Sequence, residues 1–281
     1  MKSLLAIAAV LLCLSESASR QRPDVNVPFV PIPLESVNYM LDMAQVGEDD
    51  LLFELGCGDG RITISAAGRG AKGIGIDTDA RRVEECIQNA NVAGVADRAK
   101  FYQSDIFGVP LASATVVVMY LMPEVNIQIR PKLFNELRPG TKVISYDFNM
   151  GEWEADSVIQ IKKSTAYMWI MPANFSGTWS WFHVDGSERK FSLDLSQHYQ
   201  QLTGTISSSQ GSPAVVSMNV KGNSIRIILE EADGGRMLLT GTIRNNTMKG
   251  TIAFQNGTKL KWHAEREEGT VQPLFFPEDG I

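Results

Sequence analysis

One stretch constrains this chain more than any other: LLFELGCGDGRITISAAGRGAKGIGID, from Leu51 to Asp77. An apolar run carrying Glu54 passes at once into Gly56-Cys57-Gly58-Asp59-Gly60. A helical pattern follows, and then a second apolar run that ends in Asp77. Glycines spaced in this way between a strand and a helix let the backbone turn tightly and approach a ligand at the carboxyl end of a parallel sheet. The dinucleotide pattern G-x-G-x-x-G would need its third glycine at position 61, and the chain has Arg61 there.

Charge narrows the ligand further. Glu54 beside the turn would oppose the two negative charges of a pyrophosphate and attract a cation. Asp77 lies 21 positions after Gly56, where a carboxylate accepts from a ribose diol. Asp105, in QSDIF, ends the third predicted strand, placed to accept from an adenine amino group while Ile106 packs on the ring. A ligand with an ammonium, a sulfonium, a ribose diol and adenine, and no phosphate, is S-adenosylmethionine. Asp59 and Arg61 have two readings, as the cap and opening of a helix or as ligand contacts, while Asp79 reads as the cap of the second helix.

The surrounding pattern predicts an α/β architecture. Val37, Met40, Leu41 and Ala44 recur at helical spacing from Leu34 onward. Strands are then expected at Leu51 to Leu55, Gly73 to Ile76, Lys100 to Gln103, in ATVVVMYL from Ala114 and in TKVISYDF from Thr141. Helices alternate with them at Arg61 to Ala67, Arg81 to Ala93 and VNIQIRPKLFNEL, the last broken or bent at Pro131. Such alternation means a mostly parallel, doubly wound sheet. After Asp147 it stops. VIQIKK and AYMWIMP read as a closing antiparallel pair, and eight short alternating runs follow, separated by turns such as KGN, DGG, RNN and QNG. They predict a small all-β antiparallel barrel or sandwich. The expected organisation is therefore a cofactor-binding domain over 34–173 and an all-β domain over 174–281. The tripeptide GTI recurs at Gly204, Gly241 and Gly250, either as a hairpin repeat or as ordinary strand composition.

The N-terminus has its own logic. Lys2, the apolar run Leu4 to Leu14 and the small residues of SESAS read as a signal peptide over 1–19. Export is expected, with an uncleaved leader serving as membrane tether as the alternative; the run is about half the ~20 residues that span a bilayer, so no stable span is expected after cleavage. Residues 20–33 form a proline-rich extended arm. A net charge of −6 supplies no attraction for phosphate backbones, so nucleic acid is not an expected partner. Cys57 and Cys86 read as unpaired and buried. His183, His198 and His263 lack metal-ligand spacing, and no metal is expected. Trp179, Trp181 and Trp262 read as core or as a binding platform.

ELGCGDGR, GIGID and QSDIF resemble the motifs of the class I, seven-strand S-adenosylmethionine-dependent methyltransferases, over roughly Pro28 to Pro172. More narrowly, PFVPIP, LGCGDGRI, the stretch ATVVVMYLMPEVNIQIRPKLFNELRPGTKVISYDFNMGEW and AYMWIMPA look like a bacterial group related to the protein-lysine methyltransferases of mitochondria. The resemblance implies that Glu54, Gly56 and Gly58 line the methionine end, Asp77 the ribose, and Asp105 with Ile106 the adenine. Phe29 and Pro31 of the arm would fold over the cofactor. It also implies in-line methyl transfer to an amine, a protein lysine, which needs alignment more than acid–base chemistry. Two other readings stay open: a small-molecule methyltransferase, and a cofactor-binding relic whose working part is the β-domain. YLMPEVN lacks the Asn/Asp-Pro-Pro-aromatic motif of nucleobase amine methyltransferases; Tyr120, Glu124 and Asn126 are the candidates for orienting the acceptor. Three features depart from the group. The segment after Asp147 is too short for a crossover helix, Tyr146 stands where a histidine is expected, and the all-β tail has no counterpart.

Overall fold

A computed structural model describes residues 30–183, 190–208 and 212–274. The leader, most of the arm and Phe29 lie outside the described residues. No helix among the described residues is long and apolar enough to cross a membrane.

The first half contains α1 (Leu34–Met43), β1 (Leu51–Leu55), α2 (Arg61–Gly68), β2 (Lys72–Asp77), α3 (Ala80–Val92), β3 (Ala99–Gln103), β4 (Val116–Met119), α4 (Pro123–Glu136) and β5 (Lys142–Tyr146), closed by β6 (Ser157–Ile161) and β7 (Ser164–Ile170). They form one seven-stranded sheet in the order β3-β2-β1-β4-β5-β7-β6. The pairs β3–β2, β2–β1, β1–β4 and β4–β5 are parallel, while β7 runs antiparallel to both neighbours. Central β4 is Val-Val-Val-Met and buried throughout, as a strand covered by layers on both faces must be. The two faces build separate cores, one under α1 and α2 and one under α4. Asp79 caps α3, its Oδ1 accepting from the Arg81 N–H at 2.9 Å.

One local expectation is refined and another is met. α4 runs through Pro131 without a break. The proline removes one backbone donor, but Ile129 and Leu133 on either side are fully buried, and that packing holds the helix together. Between β5 and β6 there is no helix; residues 147–156 form an irregular segment with a single bridge, Met150 to Trp153. Met150 and Trp153 are buried and join the core under α4, covering the sheet with two large side chains where a helix would otherwise pack.

The second half is a meander of β8 (Gly177–His183), β9 (Lys190–His198), β10 (Gln201–Ser208), β11 (Ala214–Lys221), β12 (Ser224–Glu230), β13 (Arg236–Arg244), β14 (Thr247–Phe254) and β15 (Lys259–Arg266). Its order, β10-β9-β8-β15-β14-β13-β12-β11, joins the last strand to the first. The edge strands β10 and β11 also come close together, so the sheet is a nearly closed barrel and not a sandwich. Trp179, Trp181 and Trp262 are buried inside it, which makes them core. The GTI recurrence acquires a packing reason here. Gly241 and Gly250 face each other across β13 and β14, each between inward-facing apolar residues. A Cβ on Gly241 would lie 2.5 Å from Cζ2 of Trp262, and one on Gly250 would lie 1.9 Å from the Thr240 carbonyl oxygen. Small interior residues thus seat large ones.

Both sheets belong to one compact unit, Pro31–Ile281. Tyr199, between β9 and β10, joins the core under α4, its ring centroid 5.5 Å from Phe134 and 6.2 Å from Trp153. The Arg130 guanidinium of α4 lies over the same ring, 5.3 Å from its centroid.

Candidate functional site

The glycine loop connects β1 to α2 at the carboxyl edge of the sheet. Gly56, Gly58 and Gly60 have φ of 79°, 55° and 78°, a left-handed conformation that glycine adopts without penalty. The N–H groups of Gly56 and Cys57 both donate to the Ile76 carbonyl, at 2.8 and 2.9 Å, which ties the loop to β2. A Cβ on Gly56 would stand 2.8 Å from Cδ2 of Leu121, so the exit of β4 lies against the loop.

Three carboxylates end the first three strands or follow them closely. Glu54 is only 4% exposed, and its Oε2 accepts from the N–H and the hydroxyl of Thr63 at 2.9 and 2.7 Å. Burial pushes its pKa up to about 8, against the lowering effect of the two Thr63 bonds, with Asp59 and Asp77 adding repulsion. Such a group is stable as a charge only when a cation comes beside it. Asp77 is half-buried; Oδ2 accepts from the Gly58 N–H at 2.9 Å and Oδ1 from the Asp79 N–H at 3.0 Å. It therefore shapes the glycine loop from the end of β2. Asp105 is exposed and accepts from the Phe107 N–H at 2.9 Å, while its neighbour Ile106 is buried in the same core as Leu55 and Ile76.

Asp59 and Arg61 prove to be a clip. The Arg61 Nε donates to Asp59 Oδ1 at 2.9 Å, its Nη2 pairs with the same carboxylate, and its Nη1 donates to the carbonyl of Ile32. The clip fastens the end of the arm, next to Pro31, to the start of α2. Cys57 and Cys86 are free and buried with Sγ atoms 3.7 Å apart; their hydrogen bond, then burial, push the Cys57 thiol up.

The acceptor candidates separate. Tyr120, just beyond β4, is half-buried between Tyr146 and Phe148, with ring centroids 5.2 and 6.0 Å away. Burial first, then the charge of Asp147, hold its phenol above the ordinary value. Asn126 is fully buried in α4. Its Nδ2 donates to Ser145 Oγ at 3.0 Å and to the carbonyls of Phe148 and Asn149 at 3.3 and 3.4 Å, leaving Oδ1 without a partner. Glu124 is exposed in the first turn of α4, where its charge suits the helix N-terminus. Tyr146, the position of the expected histidine, is buried and shares a 3.2 Å bond with Ser36 Oγ of α1. Thr63, Leu121, Asp147 and Phe148 escaped the sequence reading. The only signal for the last pair was the polar residue in SYDF directly after an apolar strand. A groove of about 530 Å³ on the outer face of β11 to β14 contains none of these residues, so concavity alone does not mark the site.

The strand order, the antiparallel β7 and the glycine loop flanked by carboxylates define a class I methyltransferase fold, and its carboxylate acceptors suit a cationic nucleoside. Comparison with known proteins agrees. Residues 54–157 match the family described as the ANTKMT methyltransferase domain. A protein-lysine N-methyltransferase of Saccharolobus islandicus is 38% identical over 152 residues, which are 52% of this chain and 94% of that protein. A human lysine N-methyltransferase named for ATP synthase is 32% identical over 134 residues, 48% of this chain and 57% of that protein. A crystal structure described as an RNA methyltransferase from Salinibacter ruber with S-adenosyl-L-homocysteine is 46% identical, covers 50% of this chain and 93% of that one, and superposes with a TM-score of 0.50. The chain belongs to this family of S-adenosylmethionine-dependent methyltransferases.

Proposed function

We propose that the chain methylates a primary amine, the side chain of a protein lysine. The observation that carries this reading is the relationship over nearly the whole length of a protein-lysine N-methyltransferase. S-adenosylmethionine, when bound, supplies an activated methyl on sulfur. Glu54 would meet its ammonium, Gly56 and Gly58 would let the methionine half approach the backbone, and Asp77 would accept from the ribose hydroxyls. Asp105 would accept from the adenine amine with Ile106 against the ring, and the arm at Pro31 would shield the crevice from water. Tyr120 would orient the incoming amine and Glu124 would attract it, while Asn126, fully buried, would act only behind them by holding the carbonyls of Phe148 and Asn149. What the protein contributes is alignment and exclusion of water.

The relative described as an RNA methyltransferase favours a second acceptor class. One experiment separates the two. Protein extract and total RNA, each stripped of small molecules, are incubated with the enzyme and methyl-labelled S-adenosylmethionine. Label in protein, mapped by mass spectrometry to lysine, is expected. Label confined to RNA would refute the lysine reading, and no label in either despite measured cofactor binding would favour a small-molecule acceptor or a relic.

A further inference from the structure

One further carboxylate stands just beyond the end of β5, and the roles assigned above leave it unused. Asp147 follows the last residue of β5 with φ of 61°, a left-handed conformation uncommon outside glycine. The Phe148 N–H donates to the Tyr146 carbonyl at 2.9 Å, closing a three-residue turn with Asp147 at its centre. Strand β7 holds that turn. The Asp147 N–H donates to the Thr165 carbonyl at 2.7 Å, Oδ1 accepts from the Thr165 N–H at 3.0 Å, and Oδ2 accepts from the Ser164 hydroxyl at 3.3 Å. A residue kept in a sparsely populated conformation by its surroundings is where a placed functional group is to be sought.

Two aromatic rings accompany the carboxylate. Tyr120 and Phe148 lie 6.0 Å apart with planes 18° from parallel, and Tyr146 closes against the edge of Tyr120. Burial first, and then the nearby charge of Asp147, hold the Tyr120 phenol above its ordinary value. Leu121, the next residue, lies against Gly56, which brings this group beside the glycine loop that would take the methionine half of the cofactor.

We propose that Asp147, Tyr120 and Phe148 form the subsite for the acceptor amine. The carboxylate accepts hydrogen bonds from the ammonium, and the rings face its charge and the methylene stem behind it. The subsite rests on the amine reading above. The ammonium first gives one proton to water. Its nitrogen lone pair then forms the new N–C bond as the C–S pair stays with sulfur, and the positive charge passes from sulfur to nitrogen. The same carboxylate faces the cation before and after transfer. A neutral acceptor gains nothing from this arrangement, so Asp147 selects amines.

The test titrates Nα-acetyl-lysine methylamide onto full-length protein saturated with S-adenosylhomocysteine, followed by saturation-transfer NMR, beside calorimetry of S-adenosylhomocysteine itself. Asp147→Asn keeps an oxygen for the Thr165 N–H and loses the charge. It should weaken the probe by about tenfold or more, as loss of a charged partner does, with S-adenosylhomocysteine affinity unchanged. Phe148→Leu should weaken the probe less, and Asp147→Glu should recover part of the binding. In turnover on a lysine peptide the Asn variant should raise KM more than it lowers kcat. Probe binding equal to wild type in Asp147→Asn overturns the proposal. So does a general loss of folding or S-adenosylhomocysteine binding that Asp147→Glu does not repair, which assigns the carboxylate to the β5/β7 junction. If the probe binds through Asp147 but methyl label appears only in RNA, the subsite stands and the lysine reading fails. If lysine is methylated equally by wild type and Asp147→Asn, the reading stands and the subsite fails.

Discussion

Replacing Glu54 by Gln separates the cost of a buried charge from its use. Gln keeps an oxygen for both Thr63 donors, which now hold Oε2 at 2.9 and 2.7 Å, and it has no proton to lose. In the wild type the folded pKa, about 8, lies above the ordinary 4.5, chiefly because of burial. The folded chain therefore binds this proton more tightly than the unfolded one. Its contribution to stability is complete below pH 4.5 and is lost as pH rises through about 8. At 1.36 kcal/mol per pKa unit, integrating between pH 6 and pH 9 gives a loss of roughly 2–3 kcal/mol for the wild type and none for the variant. Urea denaturation without cofactor at the two pH values should show the stability gap moving in favour of Glu54→Gln by that amount. Cofactor binding should move the other way. Removing the charged partner of an ammonium costs about 1.5–3 kcal/mol, so S-adenosylhomocysteine should bind roughly tenfold or more weakly near neutral pH. A gap that stays constant between the two pH values would refute the buried-charge argument. Unchanged S-adenosylhomocysteine affinity would remove Glu54 from the cofactor site.

Asp77→Ala frees the N–H groups of Gly58 and Asp79 and should cost about 1–3 kcal/mol of S-adenosylhomocysteine binding by calorimetry; Asp105→Ala, at an exposed position, should weaken binding without lowering Tm. Gly250→Ala forces a Cβ against the Thr240 carbonyl oxygen and should destabilise by about 1–3 kcal/mol while leaving cofactor affinity unchanged; equal stability would mean that the β13/β14 pair relaxes freely. A chain ending at Ala173 loses Tyr199 from beside Phe134 and Trp153, so its Tm should fall below that of the full chain. It should still bind S-adenosylhomocysteine, because Glu54, Asp77 and Asp105 precede the cut, and a folded but non-binding product would place part of the site in the barrel. The leader reading predicts that the native chain is recovered outside the cytoplasm and cut near SESAS. An uncut chain in the membrane fraction would make the leader a tether.

The alternation of strands and helices, the glycine turn and the placement of Glu54, Asp77 and Asp105 after apolar runs were legible in the sequence, because each is a property of neighbours along the chain. Periods of 2 and 3.6 residues, and glycines where φ is positive, act over a few residues. The same locality made all eight strands of the second half visible. Whether they closed was not visible, since closure depends on β8 meeting β15 and on the edge strands β10 and β11 coming together. Nor did local pattern give Glu54 its raised pKa, which comes from burial under the layers packed over it and outweighs the lowering effect of Thr63 on the next helix. Pro131 reads locally as a break, and only the burial of Ile129 and Leu133 keeps α4 whole. Asp147 is the clearest case. In the sequence it is one polar residue after a strand, and it becomes a fixed carboxylate beside Tyr120 because Ser164 and Thr165 return antiparallel along β5. Burial, register and partners distant along the chain are set by packing of the whole sheet, and those were decided by the tertiary structure alone.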